Sequence, residues 1–176
     1  ANTFLAAQGR QVGESLIEPD LLGTAAGILE KAAGIGREIV LPIDVVLAKE
    51  FKANAASRAA PASDVGDGEM ILDIGPKSAD YVISCLRRCR TLVWNGPFGA
   101  FELKPFDAGT NAVARAAAKL TKEGRLLTIA GGGDTVAALN AAGVTGDFSY
   151  VSTAGGAFLE WMEGKVLPGL EVLRKS

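Results

Sequence analysis

The sequence predicts an α/β fold: a parallel sheet with helices on both faces, in a three-layer α/β/α arrangement. From Met70 onward, short apolar runs of strand length alternate with helical stretches, as expected of parallel strands joined by crossover helices. Each of these runs ends in a loop marked by glycine together with a proline or a second glycine. The 176 residues suit one domain of ordinary size, and 48% hydrophobic against 22% charged residues is a soluble globular profile.

Residues 1–8 read as helix, and the chain opens inside that element without a methionine, as a piece of a longer protein would. Pro19 and Asp20 open a second helix, whose apolar positions Leu21, Leu22, Ala25, Ala26, Leu29 and Ala33 recur every three or four residues. Gly34 and Gly36 end it. Residues 38–47 read as a strand broken by Pro42, and residues 49–68 as a long polar surface connection with room for short strands of its own. Ile71-Leu72-Asp73-Ile74 is a short buried strand, and Gly75-Pro76 leads into a helix over 77–88. Strands then fall at 91–94, 126–130 and 149–152, with helices over 108–120 and 134–142 and a last one running through Trp161. The alternation gives the sheet a Rossmann-like character, and no repeat of solenoid period is present.

Composition narrows the function. A net charge of −2 gives no global attraction for nucleic acid or anionic lipid, so any phosphate chemistry must depend on a local site. No apolar run approaches the roughly 20 residues that span a bilayer, and no secretory signal opens the chain, so the expected setting is cytoplasmic. Cys85 and Cys89 match neither a redox C-x-x-C nor a zinc knuckle and read as structural thiols. Histidine is absent, which excludes a Ser-His-Asp triad, a Cys-His dyad and most transition-metal sites.

In open α/β sheets, ligands bind beyond the carboxyl ends of the strands. Four loops occupy such positions and, on the parallel reading, share one end of one sheet: residues 73–76, 95–102, 131–135 and 152–156. Gly131, Gly132 and Gly133 let backbone N–H groups approach an anion, and Asp134 and Thr135 begin a helix whose first amides favour phosphate. An aspartate beside phosphates suggests an intervening cation and so a Mg²⁺-nucleotide; the alternative is an ordinary helix cap above tightly packed glycines. Gly155 and Gly156 offer a second helix start of the same kind, or serve packing alone. Glu102, at the end of a rigid loop, is suited to accept hydrogen bonds from a ribose diol, or is a surface charge. Trp94 ends an apolar strand and reads as core rather than as a stacking platform. The dinucleotide fingerprint G-x-G-x-x-G and the Walker A sequence are both missing, which disfavours a Rossmann dehydrogenase.

Taken together, the loops resemble those of phosphoglycerate kinases. Trp94-Asn95-Gly96-Pro97-Phe98-Gly99-Ala100-Phe101-Glu102 is similar to the family's WNGPxGxFE, and Gly131-Gly132-Gly133-Asp134-Thr135 to its GGGD[ST]. Ser152-Thr153-Ala154-Gly155-Gly156-Ala157-Phe158-Leu159-Glu160 resembles STGGGAxLE, with Ala154 where the family often has glycine. Leu167-Pro168-Gly169, Leu41-Pro42-Ile43-Asp44, Leu72-Asp73-Ile74-Gly75-Pro76-Lys77 and the opening Ala1-Asn2-Thr3-Phe4-Leu5 also match, in family order.

The resemblance implies a glycolytic kinase that reversibly moves a phosphoryl group from 1,3-bisphosphoglycerate to Mg-ADP, giving 3-phosphoglycerate and ATP. It implies that Leu72, Asn95, Pro97, Gly99 and Ala100 line the adenosine pocket and that Glu102 binds the ribose. Gly131, Gly132, Gly133 and Thr135 would hold phosphates, Asp134 would lie near Mg²⁺, and Gly155 and Gly156 would face the transferring group. Both nucleophiles, a phosphate oxygen and a carboxylate, are already ionised at pH 7, so the lack of histidine is no obstacle. On this reading residues 1–176 form most of the C-terminal nucleotide-binding domain, and the N-terminal substrate domain is absent from the chain. The expected partners are ADP or ATP, with the phosphoglycerate bound through the missing domain, and neither nucleic acid nor membrane. The full-length protein is expected to be a monomer; the fragment is expected to be inactive alone and prone to self-association through unpaired strand edges. The competing reading is a stand-alone nucleotide-binding or scaffold module of the same fold.

Overall fold

The computed structural model describes residues 1–152, 156–157, 160 and 163–166. The chain divides into two compact units. The first comprises Ala1–Ser84 and Phe98–Val113, the second Cys85–Pro97 and the chain from Ala114 onward.

The first unit begins with α1 (Asn2–Ala7), a 3₁₀ turn at Pro19–Leu21 and α2 (Leu22–Gly34), which packs against α1. Its sheet has the order β2-β1-β3, formed by β1 (Asp44–Ala48), β2 (Ser57–Pro61) and β3 (Met70–Ile74). Both pairings are antiparallel, and a register shift falls between Val46 and Leu47 where β1 meets β3. Strand β1 is buried on both faces. Val45 and Leu47 pack with Ala60, Ala62 and Val65 on one side, while Ala48 packs with Ala55, Leu72 and Phe106 on the other.

This arrangement corrects the single-sheet expectation. The strand at 71–74 is antiparallel to its neighbour and belongs to a different sheet from the strands that follow it. The 49–68 connection contains β2, which forms a hairpin with β1; the chain then returns to the other edge of β1, where β3 also runs antiparallel to it and parallel to β2. The break at Pro42 delays β1 to Asp44, two residues beyond the proline.

Helix α3 (Pro76–Leu86) starts directly after β3, with proline at a first-turn position where no N–H is needed. Its cap comes from a distant strand. The buried Asp44 carboxylate accepts the Ser78 N–H at 2.7 Å and the Lys77 N–H at 3.1 Å, and the Ser78 hydroxyl in turn accepts the Ile43 and Asp44 N–H groups, each at 2.9 Å. The helix ends at Leu86, so Cys89 lies beyond it, exposed, while the half-buried Cys85 remains on the helix; both are free thiols.

The second unit holds the parallel sheet, in the order β4-β5-β6: β4 (Thr91–Asn95), β5 (Leu127–Gly131) and β6 (Tyr150–Ser152). Helix α4 (Ala108–Lys122) begins in the first unit and ends in the second, where Thr121 Oγ1 lies 3.0 Å from Thr128 Oγ1 on β5. Helix α5 (Gly133–Ala142) follows β5 and contacts it, with Ala138 and Leu139 buried, and a 3₁₀ turn at Thr145–Asp147 leads to β6. The helix expected through Trp161 lies largely outside the described residues.

Removing the Asp44 carboxylate deprives two first-turn amides of their buried acceptor, while the Ser78 hydroxyl keeps the Asp44 carbonyl at 2.6 Å. Asp44→Ala is expected to destabilise the first unit by roughly 2 kcal/mol, with Asp44→Asn costing less. The midpoints of urea unfolding followed by circular dichroism check this.

Candidate functional site

In the second unit, the register sets the strand ends level. Asn95 pairs with Gly131 and Gly131 pairs with Ser152, so three of the four glycine-bearing loops leave one end of one parallel sheet. Strand β5 runs into α5 with a single residue between them. Gly132, with φ 100° and ψ 144°, occupies a conformation that side chains other than glycine's hydrogen strongly disfavour. A β-carbon there would also stand 3.3 Å from Asn95 Oδ1. Helix α5 has no side-chain cap, and its first helical bond runs from the Val136 N–H to the Gly132 carbonyl at 3.0 Å. The amides of Gly133, Asp134 and Thr135 precede that bond and mark the positive end of the helix.

Thr135 and Trp94 fix the neighbouring loop to this turn. The buried Thr135 hydroxyl accepts the Gly96 N–H at 2.6 Å, and the Trp94 indole N–H donates to the Gly96 carbonyl at 2.6 Å. Trp94 is core, as expected, 6% exposed and tilted at 59° against Phe148. Thr135 thus has a structural partner for its hydroxyl in addition to its place in the turn. Asp134, Asn95 and Gly133 are exposed and Pro97 is half-buried. Gly156 is exposed and helical, while Gly155 lies outside the described residues.

Leu72, Gly99, Ala100 and Glu102 belong to the first unit. The Ala100 N–H donates to the Leu72 carbonyl at 2.8 Å, and both side chains join the cluster around Phe106. A cleft of about 380 Å³ opens beside them, lined by Leu72, Asp73, Phe98, Gly99 and Ala100 together with Ser15. Glu102 is exposed. The loop 95–102 is therefore divided: Asn95, Gly96 and Pro97 go with the parallel sheet, and the residues from Phe98 on go with β3.

Sequence reasoning put Asp73 at the start of a candidate loop but gave it no role. It is 1% exposed, and its carboxylate accepts the Ile74 N–H and the Gly109 N–H, each at 2.8 Å. Burial pushes this carboxyl up to about 6, the two N–H donors pull it down, and the nearby Asp107 charge adds to the upward push. A signal was present in the sequence, since a carboxylate inside the apolar run Ile71-Leu72-Asp73-Ile74 needs a partner.

These features define an α/β protein whose parallel strands run level into glycine-rich turns at one end of the sheet. The phosphoglycerate kinase family matches residues 1–165, and the chain belongs to that family. A phosphoglycerate kinase of Xanthobacter autotrophicus is 66% identical over 175 residues, covering 99% of this chain and 44% of the relative. That of Rhodospirillum centenum is 61% identical over 173 residues, covering 98% and 44%. Among solved structures, phosphoglycerate kinase from Coxiella burnetii superposes with a TM-score of 0.91 at 44% identity, covering 98% of this chain and 44% of that one. The enzyme from Pyrococcus horikoshii gives 0.78 at 26% identity, covering 98% and 42%. The chain spans less than half the length of these relatives. Among the described residues, no helix is long and apolar enough to cross a membrane.

Two outcomes follow from this geometry. Gly132→Ala is expected to lose roughly 1–3 kcal/mol through backbone strain, whereas Gly133→Ala, with nothing within 4 Å of an added β-carbon, stays within about 0.5 kcal/mol. Chemical denaturation of the two variants separates them. The second outcome concerns pH. Asp73 ionises at about 6 in the folded chain against 3.8 for a free aspartate, so folding favours its protonated form. The stability linked to this group is complete below about pH 3.8, is lost as the pH rises through about 6, and is level above that. Unfolding measured from pH 4 to 7 is expected to show this decline in the wild type and to lack it in Asp73→Asn.

Proposed function

We infer that this chain is the nucleotide-binding part of a phosphoglycerate kinase, a phosphotransferase that moves a phosphoryl group between 1,3-bisphosphoglycerate and ADP, with 3-phosphoglycerate and ATP on the other side. The observation that carries this reading is the turn from β5 into α5. There the positive φ of Gly132 presents three uncapped amides beyond the end of a parallel strand, within a chain that belongs to the kinase family. We assign phosphate contacts to Gly131, Gly132, Gly133 and Thr135 through their backbone N–H groups, and keep Asn95 and Pro97 as adenosine contacts. In the first unit we assign the adenosine to Leu72, Gly99 and Ala100, and the ribose diol to the exposed carboxylate of Glu102. Gly155 and Gly156 are assigned to the transferring phosphoryl group.

Mg²⁺ fits this assignment as an ion carried by the nucleotide. Among the described residues, no group of three or more His, Cys, Asp or Glu side chains gathers to hold a metal. Asp134, exposed in the first turn of α5, supplies a single carboxylate. One carboxylate suits a cation that keeps most of its coordination from phosphate oxygens and water. When bound, the ion supplies charge neutralisation at the phosphates.

The residues themselves bind and orient. No proton has to be removed from an ADP oxygen or a 3-phosphoglycerate carboxylate at pH 7, so the work of the protein is alignment and charge stabilisation by fixed N–H dipoles. The tie from the Thr135 hydroxyl to the Gly96 N–H supports that alignment by holding one loop against the other within the second unit. A cytoplasmic setting, and a monomeric whole protein that takes its phosphoglycerate on residues outside these 176, belong to the same reading.

Isothermal titration of the 176-residue chain with Mg-ADP tests it. Saturable binding is expected, weakened at least tenfold by Asp134→Ala and by Glu102→Ala, with no turnover in a coupled kinase assay. Absence of any nucleotide binding would overturn the assignment, and turnover by these residues alone would overturn the division of labour.

A further inference from the structure

Asp73 stands one residue beyond Leu72 on β3, and the mechanism proposed above leaves it unused. It is buried without a cation: among the described residues, its carboxylate meets only the Ile74 and Gly109 N–H groups, at 2.8 Å each. From it, contacts lead to three successive residues of the nucleoside-facing loop. Gly109 lies in the first turn of α4, and the next residue, the fully buried Thr110, accepts the Phe98 N–H on its hydroxyl at 3.0 Å. Gly99 lies directly over the carboxylate, so close that a β-carbon there would stand 2.5 Å from Asp73 Oδ1 and 2.6 Å from the Leu72 carbonyl oxygen. Ala100 is tied to that same Leu72 carbonyl through its N–H at 2.8 Å.

We propose that Asp73 is a positioning residue for nucleoside binding: its carboxylate links β3 to the first turn of α4 and thereby fixes where residues 98–100 lie. The inference rests on the nucleotide reading above and assigns the loop's placement within it to one side chain. A carboxylate is required because both of its oxygens accept backbone N–H bonds. An amide can accept on one oxygen only, and its NH₂ would face the second N–H donor. Asparagine therefore fills the space of Asp73 and releases either Ile74 or Gly109. Released at Gly109, the start of α4 relaxes, and Thr110 and Phe98 move with it.

The predicted signature is selective. Asp73 acts on the part of the chain assigned to the nucleoside, and the phosphate turn around Gly132 lies in the other unit. Titration of the 176-residue chain with Mg-ADP and with Mg-pyrophosphate separates the two. Asp73→Asn is expected to weaken Mg-ADP about tenfold and leave Mg-pyrophosphate within about twofold. Amide exchange at Ala100 and Gly109 should quicken while that at Ile129 is unchanged. Thr110→Val, which keeps shape and removes the hydroxyl acceptor of Phe98, is expected to give the same selective loss and serves if Asp73→Asn does not fold. A parallel loss of both ligands, or no loss of either, overturns the role of Asp73 while leaving the nucleotide reading intact. A wild-type chain that binds pyrophosphate and not ADP overturns both assignments in the first unit. A wild-type chain that binds neither removes the nucleotide reading and this inference with it.

Discussion

The first unit is organised by the need to satisfy a carboxylate at almost complete burial. Desolvating an ionised aspartate is costly, and no lysine or arginine among the described residues offsets it at Asp73. Two backbone amides do so instead, and they are available because the Gly109 N–H precedes the hydrogen-bonded part of α4. The remaining geometry follows from this. The start of α4 must approach β3 closely, and the segment that passes over the carboxylate has room for no β-carbon at Gly99. Leu72 must also present its carbonyl to Ala100. Asp44 solves a related problem for α3, but it sits at the N-terminus of a helix whose amides need an acceptor, and this is an ordinary use for a short acidic side chain.

The second unit is organised by backbone instead. Parallel pairing levels the ends of β4, β5 and β6, and the change from strand to helix is confined to Gly132. That sharp transition leaves α5 without a side-chain cap, so its first amides have neither an intrahelical nor a side-chain acceptor. The turn is stiffened from beneath by the Thr135 hydroxyl and the Trp94 indole, which between them satisfy the N–H and the carbonyl of Gly96. Both side chains are buried, so the stiffness comes from packed groups rather than from loop composition.

Much of this could be read in the sequence because glycine runs and alternating apolar stretches are local signals. The strand that ends at Gly131, the helix from Gly133 and the level placement of Asn95 and Gly131 all follow from short-range pattern and parallel pairing. Partner choice between strands could not be read in this way. The run Ile71-Leu72-Asp73-Ile74 looks like any buried strand, and its antiparallel place on β1, at the edge opposite a strand hidden in an alanine-rich connection, has no local signal. The division of loop 95–102 after Pro97 was equally invisible, since the motif is continuous in sequence while its two parts serve different units. Asp73 was overlooked because its acceptor role depends on Gly109, 36 residues away. The composition of the strand flagged an unpaired charge without naming its partner.

The charge inventory of the loops bears on how the proposed reaction is shared within the whole protein. Residues 95–102 and 131–135 contain no lysine or arginine, and their two ionisable groups, Glu102 and Asp134, are both acidic and exposed. Phosphoryl transfer spreads negative charge over the oxygens of the moving group, and backbone dipoles supply only fractional positive charge against it. Two added carboxylates increase that deficit. These loops therefore suit recognition of a nucleotide that brings its own divalent cation, because Asp134 gains from the ion what it loses to the phosphates. They are poorly suited to stabilising the transfer itself, which needs full positive charges close to the migrating group. In the proposed enzyme those charges come from outside the two loops, and the glycine turn and its neighbours hold and align the nucleotide.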